Sequence, residues 1–240
     1  MNLLILDAGH SFDTKGKNNA KENFYEWEFN NDMQYKIKSR CEELGIKVFL
    51  TNPNPQSVSD LPLTTRANLA NDYWIKNNKP KSIFISLHAN AFSNASARGT
   101  ETYVAKNAST MSKDFAKVLN NNIVKTMKEL DPAAKDRGVK TENFTVIYKA
   151  LMPSVLIEYG FYSNLEDLKI LKNNQVELVE ATVKAICNYF GVTYKEKTEP
   201  IIDGNLYAVC VGAYKDKNKA NNIVEELKRK GYTSTYLIIR

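Results

Sequence analysis

The sequence is poor in the residues that most often build metal and redox sites. Its 240 residues include two histidines and three cysteines. The cysteines Cys41, Cys187 and Cys210 are widely spaced and form no CxxC pair, which argues against a disulfide framework and against a thiolate zinc site. We therefore expect reduced thiols, mostly packed in the interior, in a protein that folds in the cytoplasm.

Long apolar runs and dense basic blocks are also missing. No stretch approaches the ~20 apolar residues that a membrane-spanning helix needs, and the first residues lack the regions of a secretory signal peptide. The net charge of +6 comes from 33 basic and 27 acidic residues scattered along the chain. Such a charge favours polyanions in general, including an anionic cell wall. We expect no membrane insertion and no nucleic-acid partner.

Apolar runs and helical periodicities alternate over the first 190 residues. The pattern predicts strands at 3–6, 47–50, 83–87, 99–104 and 155–157, a short extended segment at 145–148, and helices at 23–44, 63–77, 109–130 and 164–190. This alternation indicates one α/β domain over residues 1–191, with a mixed, mostly parallel sheet flanked by helices.

The pattern changes after residue 191. Residues 192–204 are charged, contain Pro200 and Gly204, and are typical of a linker. Residues 205–240 predict a small β-α-β unit, with strands at 206–211 and 233–239 around an amphipathic helix at 216–230. A unit of this size is too small to be stable without a partner.

Both histidines lie at the ends of predicted buried strands. His10 follows the strand at 3–6, and His88 follows the strand at 83–87. Because α/β proteins place their chemistry just past the carboxyl ends of such strands, the pair predicts a metal site. Histidine supplies only two of the three protein ligands of a catalytic zinc site, so a carboxylate has to complete it. The candidates are Glu22, Glu26, Glu28, Glu101 and Glu158.

Glu158 differs from the other acidic candidates in its surroundings. It follows the apolar run 155–157 and precedes Tyr159, Gly160 and Phe161. A carboxylate enclosed at a strand end is costly unless it is paired or functional. Glu158 is therefore the candidate for moving protons.

Five motifs, in this order, carry a family resemblance. They are Asp-Ala-Gly-His at 7–10, a glutamate opening the first helix, Ser-Leu-His-Ala-Asn at 86–90, Gly-Thr-Glu-Thr-Tyr at 99–103 and Pro-Ser-Val-Leu-Ile-Glu-Tyr-Gly-Phe at 153–161. Residues 1–190 resemble the zinc-dependent N-acetylmuramoyl-L-alanine amidases, the type-3 family of bacterial autolysins and phage endolysins. Arg66 and Arg137 also match family positions.

The resemblance implies one zinc ion held by His10, His88 and a glutamate of the first helix. We choose Glu26, because the family has Asn or Leu four residues on, as in Asn30, and because helical geometry puts Glu26 beside Asn30 and away from a core stripe through Trp27. Glu28 and Glu22 remain alternatives.

The resemblance also assigns the remaining polar residues of the motifs. Glu158 becomes the catalytic acid and base. Glu101 is expected near the site in a structural or substrate-contacting role, and Asn90 beside a ligating histidine. The implied reaction is hydrolysis of the amide bond between N-acetylmuramic acid and L-alanine of the peptidoglycan stem peptide.

Residues 207–214, 218–220 and 227–232 resemble the beginning of a SPOR domain, a module that binds cell-wall glycan. Cys210 stands where that family usually has Gln, and only half of the module is present. We expect this half either to pack on the catalytic domain or to pair with a second copy, and favour a homodimer, because an isolated half exposes a strand edge.

The implied setting is that of a phage or prophage endolysin, synthesised without a signal peptide and acting on the wall after release. A sporulation autolysin with the same chemistry, or a non-catalytic wall-binding protein, are the alternatives.

Overall fold

The computed structural model describes residues 2–197 and 216–232. The chain divides into two compact units, Met1–Tyr194 and Lys195–Arg240. The first unit has the predicted α/β architecture, a six-stranded mixed sheet with helices on both faces. The fold prediction is therefore confirmed.

The first half of this unit supplies three adjacent strands of the sheet and two long helices. Its elements are β1 (Leu3–Ala8), β2 (Asn18–Asn19), a 3-10 turn (Ala20–Glu22), β3 (Phe24–Tyr25), α1 (Glu26–Glu43), β4 (Lys47–Leu50), α2 (Leu63–Lys76) and β5 (Ser82–Asn90). Strands β2 and β3 pair with each other as a separate antiparallel ribbon.

The second half completes the sheet and covers it. Its elements are β6 (Thr100–Val104), α3 (Thr110–Leu130), β7 (Asp136–Thr141), α4 (Thr145–Tyr148), β8 (Ser154–Phe161), α5 (Leu165–Asn173) and α6 (Gln175–Phe190). The sheet order is β4-β1-β5-β8-β6-β7. All neighbours run parallel except β8 and β6, which are antiparallel.

The central strands are buried on both faces of the sheet, which explains why they read as unbroken apolar runs. Leu4 and Leu6 of β1 point into a core shared with α1, α3 and α6. Leu3 and Ile5 point into a second core that includes Ala70 of α2. The free thiols of Cys41 and Cys187 are buried, as predicted, whereas Cys210 lies outside the described residues.

Several local features differ from the sequence predictions. The segment 145–148 is a turn of helix instead of extended, because the backbone N–H groups of Ile147 and Tyr148 bond to the carbonyl of Phe144. The helix at 164–190 is interrupted at Asn174, which ends α5 and precedes α6. The helix at 23–44 begins later, at Glu26. Strand β7 was not predicted, because its residues are mostly exposed and follow no apolar alternation.

The first unit extends to Tyr194, three residues beyond the predicted end at 191. The Tyr194 hydroxyl donates to Glu180 Oε2 at 2.6 Å, and Val192 packs on the core. The rest of the predicted linker falls partly outside the described residues. No helix among the described residues is long and apolar enough to cross a membrane.

The helix predicted in the C-terminal unit is confirmed as α7 (Lys217–Arg229). Asp216 caps it by accepting from the backbone N–H groups of Asn218 and Lys219, at 2.7 and 3.3 Å. Ala220, at its apolar stripe, is buried. The predicted strands 206–211 and 233–239 lie outside the described residues. The SPOR-like unit and the homodimer therefore stay predictions.

Candidate metal centre and active site

A single row of paired residues crosses four strands of the sheet and carries the site. His88 of β5 pairs with Glu158 of β8, Glu158 pairs with Glu101 of β6, and Glu101 pairs with Gly138 of β7. Directly paired residues project from the same face of a sheet. The row therefore turns His88, Glu158 and Glu101 toward one side.

Gly9 extends this row on the side of β1 and makes room for the His88 ring. Its backbone N–H donates to the Leu87 carbonyl at 3.1 Å, which continues the β1–β5 ladder. A Cβ at position 9 would lie 2.1 Å from His88 Cε1. No residue other than glycine fits there unless the imidazole moves.

His10 sits in a backbone conformation that needs outside support. Its φ is +67°, in the left-handed region that non-glycine residues rarely adopt. The Asn52 side-chain amide donates to the carbonyls of Ala8 and His10, both at 3.0 Å. Asn30 donates to the Gly9 carbonyl at 3.0 Å. Three hydrogen bonds thus fix the turn that presents the His10 ring.

Glu26 is the first residue of α1, and the ribbon before the helix positions it. Its backbone N–H donates to the Lys17 carbonyl at 3.0 Å, next to the β2–β3 pairing. The side chain is only 2% exposed. The expected core stripe through Trp27 is wrong: Trp27 is half-buried, and Glu26 itself begins the buried stripe that continues through Asn30 and Met33.

The structure brings His10, Glu26 and His88 together, with their ligand atoms all within 4.8 Å of one another. Glu26 Oε1 lies 2.9 Å from His88 Nδ1 and 3.4 Å from His10 Nε2. Tetrahedral zinc with bonds of ~2.0–2.2 Å separates its ligand atoms by about 3.3 Å. The donor set and its spacing therefore fit zinc. Glu28 is exposed on the first turn of α1 and Glu22 on the preceding 3-10 turn, and neither belongs to this cluster.

The charge state of Glu26 suits a ligand. Burial raises its pKa, but hydrogen bonds to and charges on the two imidazoles outweigh burial and lower the pKa to about 2. The carboxylate is therefore ionised throughout the neutral range.

A partly buried ionic network lies beside His10. Asp60 Oδ2 lies 3.7 Å from His10 Nδ1, on the opposite side of the ring from Glu26. Asp60 also binds the guanidinium of Arg66, which is 1% exposed and donates to the Ala8 carbonyl at 2.8 Å. A carboxylate beside the second nitrogen of a ligating imidazole orients the ring and raises its basicity.

Glu158 faces the cluster from the next strand. Its Oε2 is enclosed and accepts no hydrogen bond from any residue that the structure describes. Burial, and after it the negative charges of Glu26 and Glu101, raise the pKa of Glu158 well above its usual value. The site therefore contains one carboxyl whose pKa the histidines lower and one whose pKa burial and neighbouring carboxylates raise.

Glu101 forms ion pairs with two basic neighbours. Its Oε2 accepts from Arg137 Nε at 2.6 Å and also from Lys140, and Tyr103 donates to its Oε1 at 2.8 Å. Although burial raises the pKa of Glu101, these contacts hold it below its usual value. Asn90 was expected beside a histidine, but its amide donates to Glu101 at 2.7 Å and accepts from the Ala91 N–H.

Comparison with known proteins gives a family match over most of the chain. The family model described as N-acetylmuramoyl-L-alanine amidase matches residues 4–188, which include all four residues predicted for the site. The chain belongs to the N-acetylmuramoyl-L-alanine amidase family. The C-terminal unit lies outside the match.

Solved structures and curated relatives extend the likeness. The catalytic domain of CwlV, an N-acetylmuramoyl-L-alanine amidase of Bacillus (Paenibacillus) polymyxa, is 28% identical with a TM-score of 0.68, covering 80% of this chain and all of that one. A sporulation-specific N-acetylmuramoyl-L-alanine amidase of Bacillus subtilis is 25% identical, over 81% of this chain and 68% of that protein. The endolysin of Bacillus phage SPP1 is 29% identical, over 72% of this chain and 59% of that protein.

Sequence reasoning missed three residues that support this amidase site: Gly9, Asn52 and Asp60. Asn52 and Asp60 come from the Pro-rich stretch between β4 and α2, which the sequence marks only as a loop. Gly9 lies inside the motif Asp-Ala-Gly-His, so its position was visible, although its contact with His88 was not.

Proposed function

We propose that this protein is a zinc-dependent peptidoglycan hydrolase that cleaves the amide bond between N-acetylmuramic acid and L-alanine of the stem peptide. The observation that carries the proposal is the pairing of His88 with Glu158, which sets a carboxyl oxygen without a hydrogen-bond partner among the described residues beside a His-Glu-His cluster. Membership of the amidase family supports the choice of bond.

His10, Glu26 and His88 would hold the zinc ion. Zinc in such a set supplies Lewis acidity, which activates water and polarises the amide carbonyl. Glu26 stays ionised, as a ligand must. Asp60 would keep the His10 ring oriented through its second nitrogen.

Glu158 would carry the proton through the reaction. It accepts the proton of the attacking water at its free oxygen as the new C–O bond forms at the lactyl carbonyl. It then delivers that proton to the alanine nitrogen as the C–N bond breaks. The products are a lactyl carboxylic acid on the sugar and a stem peptide with a free alanine N-terminus.

We propose that the protein acts on the cell wall after its release, as an endolysin does. The relatives include a phage endolysin and a sporulation-specific amidase, and the chemistry proposed here serves both.

Digestion of purified cell walls tests the proposal. We expect wild-type protein to release new N-terminal alanine, and the release to stop in excess chelator and return with added zinc. Release that survives complete removal of zinc would contradict the zinc assignment. Walls left intact by zinc-loaded, folded protein would instead favour a non-catalytic wall-binding role.

A further inference from the structure

A basic pocket opens beside the row of site residues, toward the β7 edge of the sheet. It has a volume of about 500 Å³. Its charged lining residues are Arg98, Lys135, Asp136, Arg137 and Lys140. Four cations against one carboxylate make this an unusual surface next to a site that otherwise collects acids.

Two of the charged residues are used within the fold. Arg98 donates to Asp167 Oδ1 at 3.0 Å and to Asp131 Oδ2 at 2.6 Å. Asp136 Oδ1 accepts from the Asn120 amide at 2.9 Å. The cations that remain for a ligand are Lys135, Arg137 and Lys140, of which Arg137 and Lys140 also pair with Glu101.

A β-bulge aims Arg137 into the pocket. Thr100 pairs with Asp136, and Glu101 pairs with Gly138, so Arg137 is the extra residue between them. Bulges commonly occur beside active sites, where they redirect a side chain. Gly138 follows with a φ of +74°, which favours glycine.

The bulged Arg137 is held in place yet keeps donors available. Its Nε donates to Glu101 at 2.6 Å, and its guanidinium lies over the Phe161 ring, 4.8 Å from the centroid. Its two Nη groups donate to no residue in the described part of the chain. Arg137 is 34% exposed and Lys140 is 38% exposed, so both reach solvent.

The charges of this corner do not cancel. Arg137 and Lys140 share the single carboxylate of Glu101, and the charge of Lys135 offsets that of Asp136 in the same lining, so one net positive charge remains among these groups. A guanidinium whose two Nη groups are available, next to an ammonium group, suits a carboxylate, because a carboxylate accepts charge-assisted hydrogen bonds at both oxygens.

The distance of the pocket from Glu158 indicates which carboxylate of the substrate it would bind. Strand β7 lies two strands from Glu158, and at ~4.8 Å per strand this is about 10 Å. An extended peptide advances at most ~3.6 Å per residue. The pocket is therefore two to three residues beyond the bond that Glu158 would help to break.

We infer that Arg137 and Lys140 bind a free carboxylate on the stem-peptide residue that follows the alanine. The inference rests on the proposed function and adds a preference for substrates that carry this charge. It also orients the substrate: the peptide runs across β6 and β7, away from His10.

Two matched substrates test the preference: N-acetylmuramoyl-L-alanyl-D-glutamyl peptides whose glutamate α-carboxyl is either free or amidated. We expect wild-type kcat/KM to favour the free carboxylate about tenfold, the effect of one charged hydrogen-bonded pair. Arg137→Gln and Lys140→Met should each reduce this ratio several-fold. Lys117→Met, which removes an exposed charge from α3, should keep the wild-type ratio.

The ratio of the two kcat/KM values separates direct binding of the substrate carboxylate from effects that act through Glu101. If the two cations acted only by holding Glu101, each variant would slow both substrates by the same factor and leave the ratio unchanged, which would overturn the inference. Equal wild-type rates on the two substrates would overturn it as well, while the proposed function stands. Release of alanine from neither substrate would overturn both.

Discussion

The close approach of Gly9 to His88 gives a prediction with a defined size. In Gly9→Ala the new Cβ would meet His88 Cε1 at 2.1 Å, and ordinary contact begins at 3.4 Å. The ring has to retreat by 3.4 − 2.1 = 1.3 Å. Metal–ligand distances tolerate only about 0.2 Å, so the displaced imidazole cannot complete the site.

We expect Gly9→Ala to lower zinc affinity at least about 100-fold, the upper end of the effect of misorienting a ligand. Forcing extra atoms into packed surroundings also costs about 1–3 kcal/mol of unfolding free energy. A competition titration against a chromophoric chelator measures the affinity, and denaturant unfolding of the metal-free protein measures the stability.

Gly45→Ala is the matched control. Gly45 has a φ of +76°, and a Cβ at this position would have no neighbouring atom within 4 Å, so alanine there strains only the backbone. The substitution should cost about 1 kcal/mol of stability and leave zinc affinity unchanged. Wild-type zinc affinity in Gly9→Ala would refute the reasoning, because it would mean that the His88 ring is not confined as the structure has it.

Three further predictions follow from single contacts. Glu26→Ala should abolish tight zinc binding while Glu28→Ala retains it, as measured by metal content after dialysis, because only the first carboxylate lies in the cluster. Asn52→Ala should lower the unfolding free energy by about 1–3 kcal/mol, because two carbonyls around the left-handed His10 lose their donor; an unchanged denaturation midpoint would contradict this. Asp167→Asn should cost about 2–4 kcal/mol in the same assay, because this buried carboxylate accepts from two backbone N–H groups and a guanidinium.

The central strands and the approximate site were predictable because local signals suffice there. A strand buried on both faces shows itself as an apolar run, and the carboxyl ends of parallel strands meet at one edge. His10, His88 and Glu158 could therefore be brought to one place without coordinates. The structure brings Glu26 together with the two histidines, although the helical face used to argue for it was wrong.

Other features depend on contacts that no local pattern carries. Strand β7 is an edge strand with a bulge, and its sequence shows no apolar alternation. The sequence therefore did not indicate where the Arg137 side chain points. Asp60 lies 50 residues from His10 in sequence, and the folding of the loop between β4 and α2 brings the two side chains together. The turn at 145–148 is decided by three backbone hydrogen bonds that compete with an extended form of similar local propensity.

The proposed site consists of three residues that hold zinc and one residue that moves protons. Zinc content and alanine release, measured on the same samples of wild type, Glu26→Ala and Glu158→Gln, test that division most directly. We predict that Glu158→Gln keeps one zinc per chain and loses at least about 100-fold in turnover, as expected for removal of a general acid and base, whereas Glu26→Ala loses both. Wild-type turnover in zinc-loaded Glu158→Gln would contradict the account.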